Sequence, residues 1–171
     1  MTGSARILFA LCALVPLATP AQAQTTRVSA NVPARLSVLK PLTLIGQQGM
    51  DFGTVVLSPG TWTGAAVSIS SAGVRNCSAL VTCSGTATPA RFQVSGTNNQ
   101  TVVVSAAAIT LVNALNSSQR LTLTLDAPAT IALPNSGNPG VTFAVGGSVT
   151  LNSTTADGVY SGTLEITVDY Q

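Results

Sequence analysis

The chain has 171 residues, 46% of them hydrophobic, enough for one domain with its own core. Only 7% are charged, the formal net charge is +2 and the basic residues stand singly, so there is no electrostatic footprint for nucleic acid or an anionic membrane. Histidine is absent and aromatic residues make up 4%, which removes the commonest acid–base and zinc chemistry, while the abundance of Ser, Thr, Val and Gly favours short strands over helices.

At the N-terminus, Arg6 precedes an apolar run over 7–18 and the small-residue site Ala21-Gln22-Ala23. That pattern is expected of a secretory signal peptide over 1–23, cleaved after Ala23. The run is shorter than the roughly 20 apolar residues of a membrane span, so no span is expected after processing. The protein is expected to pass through the periplasm to the cell surface or the medium. Removal of Cys12 leaves Cys77 and Cys83, and two cysteines in an oxidising compartment read as one disulfide. A ring of about seven residues is worth roughly 2–2.5 kcal/mol, enough to pin a local turn. A metal site is not expected, since zinc usually takes four ligands.

Residues 27–38 alternate strictly. Val28, Ala30, Val32, Ala34, Leu36 and Val38 fall on one side, and Arg27, Ser29, Asn31, Pro33, Arg35 and Ser37 on the other, the signature of a strand with one buried face. Lys40, the only lysine, stands before Pro41 as a terminator. Further strands are expected at 42–45, at 50–57 up to the turn Pro59-Gly60, and at 65–69, 91–94, 101–104, 121–125, 141–145, 149–151 and 160–170. The segment 105–115 fits neither the helical nor the strand period. Short strands at this spacing predict an all-β antiparallel fold, most simply a sandwich. In the final run, Tyr160, Leu164, Ile166, Val168 and Tyr170 share a face completed by Gly162, while Thr163, Glu165, Thr167 and Asp169 take the solvent side. An apolar last strand must be covered, and its edge is a pairing hazard.

This C-terminal stretch resembles that of pilus (fimbrial) subunits assembled by the chaperone-usher pathway. Their last strand carries a glycine at its head, alternating apolar residues and a penultimate aromatic, matched here by Gly158, Leu164, Ile166, Val168 and Tyr170. The run Met50-Asp51-Phe52-Gly53-Thr54 and the ending from Gly158 to Tyr170 also resemble a bacterial envelope family called domain of unknown function 4402, whose name implies no activity. The pilin resemblance implies an immunoglobulin-like sandwich lacking one strand, with an apolar groove beside the last strand. It implies partners too: a periplasmic chaperone and an outer-membrane usher, then copies of the chain or related subunits. The expected layout is a signal peptide over 1–23, an N-terminal extension over 24–40 serving as a donor strand, and a sandwich over 41–171. The donor would present Val28, Ala30, Val32, Ala34, Leu36 and Val38, and the C-terminal pairing strand Gly158, Tyr160, Leu164, Ile166, Val168 and Tyr170. The cysteines depart from better known pilins, being close together in mid-chain.

No catalytic residue, cofactor or metal ligand is expected. The acids are Asp51, Asp126, Asp157, Glu165 and Asp169. Glu165 and Asp169 would lie about 13 Å apart on one strand, too far for a carboxylate pair. Asp157 before Gly158, and Asp51 before Phe52-Gly53, read as turn or strand-end residues. The alternative to a pilus subunit is a monomeric secreted or periplasmic sandwich that binds a glycan or another envelope component. The single tryptophan, Trp62, is the candidate for stacking on a sugar, against a packing role.

Overall fold

The computed structural model describes residues 27–134 and 140–171. The expected signal peptide lies outside the described residues. The chain divides into two units, Met1–Leu36 and Ser37–Gln171. In the described part of the first, residues 27–36 form no strand and every residue is exposed.

The second unit is all-β. Its strands in chain order are β1 (Thr43–Gln48), β2 (Thr54–Leu57), β3 (Ala65–Ile69), β4 (Arg75–Cys77), β5 (Val81–Ser84), β6 (Ala90–Ser95) and β7 (Gln100–Ala106). They continue with β8 (Ile109–Asn113), β9 (Arg120–Asp126), β10 (Thr130–Leu133), β11 (Val141–Leu151), β12 (Tyr160–Ser161) and β13 (Ile166–Tyr170). All pairings among them are antiparallel. The main sheet runs β1-β6-β11-β9-β8-β12, with β3 on β11 and β4 on β3; a second sheet is β10-β7-β13, and β2 pairs with β5.

The long strand β11 is the spine. Its first half, Val141 to Val145, pairs with β6, and its second half pairs with β3 and β9. The change of partner falls at Gly146-Gly147. A Cβ on Gly146 would strike the carbonyl oxygen of Ile69, and one on Gly147 would stand 2.9 Å from Leu123 Cδ1 and 3.2 Å from Met50 Cε. Only glycine lets the neighbouring chains come this close.

Alternation decides which side chains go inward. Ala65, Val67 and Ile69 of β3 are buried while Ala66 is exposed; Val102 and Val104 of β7 are buried while Val103 is exposed. The result is a sandwich with two core clusters. The first, around Val94, Val102, Leu133, Phe143, Val145 and Ile166, lies between the main sheet and β10-β7-β13. The second, around Ala65, Val67, Val81, Leu123, Val149 and Leu151, lies under the pair β2-β5. Leu164 and Met50 pack against both.

Four expectations need correction. The stretch 27–38 forms no strand and has no buried face within this chain, because no neighbouring strand pairs with it. The run 50–57 is strand only from Thr54, preceded by a single bridge between Asp51 and Thr88. The final run 160–170 is interrupted at 162–165, where a Cβ on Gly162 would sit 2.8 Å from the Thr110 carbonyl oxygen, and the chain crosses from one sheet to the other. The two runs expected at 141–145 and 149–151 are one strand. The ambiguous segment 105–115 resolves into the end of β7 and all of β8.

Candidate functional site

One end of the sandwich is open. Above the second core cluster runs a groove of about 1270 Å³ with an apolar floor of Ile109, Leu111, Leu121, Leu123, Val149 and Leu151, contributed by β8, β9 and β11. One wall is the stretch 46–57, including β2; the other is 155–164, including β12. Ile109, Leu111, Leu121 and Leu164 are only half-buried, because the second sheet covers the first cluster and leaves this part of the main sheet without a full facing layer. Both walls are edge strands. β2 pairs only with β5, and β12 only with β8.

The groove ends at Gly46, Phe92 and Leu164. Beyond that level Leu42 and Leu44 pack on the first cluster together with Val168 and Tyr170. The opening therefore lies along 155–164. Of the expected pairing strand, Tyr160 and Leu164 line it with Gly158, whereas Ile166, Val168 and Tyr170 belong to the closed first core. The side-chain alternation over Leu164, Ile166, Val168 and Tyr170 is as expected, with Glu165, Thr167 and Asp169 exposed.

The mouth is held by Asn113, which sequence reasoning missed and which is 2% exposed. Its side-chain amide donates to the Asp157 carbonyl (2.8 Å), and its oxygen accepts from the N–H groups of Leu115 (2.8 Å) and Asn116 (3.3 Å). Gly158, at φ +135°, lies against this amide, and a Cβ there would come within 2.6 Å of both its terminal atoms. An asparagine near a strand end has no pattern that marks it as buried.

The wall that carries β2 is tied down separately. The disulfide Cys77–Cys83 joins β4, a strand of the main sheet, to β5, the partner of β2. One guanidinium nitrogen of Arg75 donates to the carbonyls of Phe52 (2.9 Å) and Ser84 (2.8 Å), clasping the base of the same flap. Asp51 accepts from the Gly53 N–H (2.8 Å), the local turn chemistry expected of it. Trp62 donates through Nε1 to the Ser58 carbonyl (2.9 Å) and packs on the second cluster.

At the far end of the unit the N-terminal extension joins the domain. The Tyr170 hydroxyl donates to the Lys40 carbonyl (2.7 Å) and accepts from the Thr97 N–H (2.7 Å), while the Lys40 N–H donates to Thr97 Oγ1 (2.6 Å). The root of the extension and the mouth of the groove thus lie at opposite poles of unit Ser37–Gln171: β11 runs from Val141, beside Val94, to Leu151, near Ser153, which Trp62 and Ser58 adjoin. The expected donor residues are exposed, with Val28 91%, Val32 87%, Leu36 89% and Val38 80% accessible, and Ala30 and Ala34 likewise exposed. Among the described residues no cluster of side chains could hold a metal ion, and no helix is long and apolar enough to cross a membrane.

Fold and site together define an antiparallel β-sandwich with one incompletely covered apolar groove between two edge strands. The family described as Domain of unknown function (DUF4402) matches residues 42–170, and the chain belongs to it. No curated protein and no solved structure matches the chain.

Proposed function

We propose that this protein is a non-catalytic structural subunit of a bacterial surface fibre, exported and then assembled by strand donation. The observation that carries the reading is the pairing of two complements in one chain: an apolar groove between edge strands, and an exposed extension with apolar residues at period two. A groove of about 1270 Å³ exceeds the roughly 300–1,000 Å³ of a small-molecule pocket. Its walls offer unpaired backbone edges and its floor offers pockets for alternate side chains, which is what strand addition uses.

Chain direction separates the two ways of filling it. If the extension of a second copy enters at the mouth, residue 28 goes deepest and the strand runs antiparallel to 158–164. If a chain's own extension folds back from Lys40, it runs parallel to 158–164. Donation between copies is head to tail, does not close, and yields a filament. A periplasmic chaperone and an outer-membrane usher are the partners this route requires, and the cell surface its destination.

The test is a photoreactive amino acid at position 32 in full-length protein, prepared in equal amounts with and without isotopic label and allowed to assemble. Crosslinks to the groove residues 109–123 or 149–151 that join labelled to unlabelled chains support donation. Crosslinks confined to one chain mean self-completion, and none in the groove means that the extension is not its occupant; either result removes the proposal.

A further inference from the structure

We propose that Leu115 and Val159, on the rim of the groove, form half of a body-to-body contact with a second copy, met by Val38 and Leu39 at the root of that copy's extension. The inference rests on the strand-donation reading and adds a surface to it. Leu115 is 81% and Val159 70% exposed, and the two stand in adjacent loops as an apolar pair. The Ala114 N–H donates to the Val159 carbonyl (2.8 Å), which brings these loops together at the mouth, and Asn113 holds both through Leu115 and Asp157.

Tether length makes the contact unavoidable. Lys40 is fastened to its own domain by Thr97 and Tyr170. The open wall 158–164 spans about 23 Å, room for about seven residues with three or four facing the floor. With Leu36 innermost of the mouth positions, Ala34, Val32 and Ala30 follow along the floor, and Pro33, which lacks an N–H, faces out. Only 37–39 then separate Leu36 in the groove from the fastened Lys40, four chain steps with a reach of at most about 14 Å. The donor's root must sit on the acceptor's rim. There Val38, 80% exposed, and Leu39, 41% exposed, find Leu115 and Val159.

The experiment compares full-length wild type, the variant Leu115→Ser, which changes the rim residue that does not line the groove, and a remote control, Val74→Ser, by sedimentation equilibrium. A synthetic peptide of residues 27–37, which lacks Val38 and Leu39, is titrated in parallel onto each. Burial of one aliphatic side chain corresponds to a loss of self-association of roughly 10- to 100-fold in Leu115→Ser. The peptide's affinity and the melting temperature should be unchanged, and the control should match wild type. If the peptide binds all three proteins and Leu115→Ser assembles like wild type, the rim contact is refuted while donation stands. If the peptide binds none of them, donation fails and the rim contact with it.

Discussion

At the scale of single residues, the groove mouth depends on a buried amide and a glycine that no sequence pattern singles out together. Gly158 was legible from its place at the head of an alternating run, but Asn113 was not, because burial of a polar side chain follows from which loops meet, and that is set by distant parts of the chain. Asn113→Ala would strip partners from one carbonyl and two N–H groups, a loss on the order of 2 kcal/mol or more, read as a lower midpoint in urea unfolding. Gly158→Ala tests the backbone at the same place. With φ at +135° and Asn113 in the way of a Cβ, it should cost about 1–3 kcal/mol, and unaltered stability would show that the turn relaxes freely. At the other pole, Tyr170 completes the expected apolar alternation, yet its hydroxyl fixes Lys40. Tyr170→Phe keeps the ring and removes that fastening, so the Lys40 and Thr97 amides should exchange faster in hydrogen-exchange measurements while the amides of β7 stay protected.

Among the elements, those with strict alternation on a two-layer core were readable: β3, β6, β7, β9 and the halves of β11. The strands that escaped the sequence reading are β4, β5, β8 and β10, short segments of three to five residues. β4 and β5 have little apolar alternation, since Arg75, Asn76, Thr82 and Ser84 occupy most of their positions; they are strands through their backbone pairing with β3 and β2, and the disulfide and the Arg75 clasp join them to each other. The disulfide was read as pinning a local turn, and its place in the fold gives that turn a consequence. β2 and β5 share no strand pairing with the rest, so the link to β4 restrains one whole wall of the groove. Full-length Cys77→Ser/Cys83→Ser should lose roughly 2–2.5 kcal/mol. The faster exchange should be concentrated in the β2 and β5 amides, with β7 and β13 accelerated only in proportion to the global loss. Uniform acceleration over all strands would mean that the bond stabilises the unit as a whole and not the wall.

For the molecule as a whole, the sequence announced a sandwich and an apolar extension but misplaced the opening. Alternation ran unbroken from Tyr160 to Tyr170, so the groove was expected beside Leu164, Ile166 and Val168; where a chain changes sheets depends on close approaches such as that of Gly162 to Thr110, which a period-two pattern does not carry. The unit Ser37–Gln171 holds both core clusters, and none of the expected donor residues from Val28 to Leu36 contributes to them. Deleting 27–38 should therefore leave the domain folded, with a melting temperature within a few degrees of the parent's, and abolish self-association. Adding a peptide of residues 27–38 to the shortened protein carries the argument one step further, because a ligand that binds only the folded state stabilises it by mass action. At a hundredfold excess over its dissociation constant the gain is about 2.7 kcal/mol, a rise of several degrees in melting temperature that grows with peptide concentration. A peptide of the same composition with the apolar alternation scrambled should give no rise, since its side chains would no longer meet the floor at every second position. Unfolding of the shortened protein would instead mean that the extension completes its own domain, and a scrambled peptide as effective as the native one would mean that the groove takes any apolar chain without regard to register.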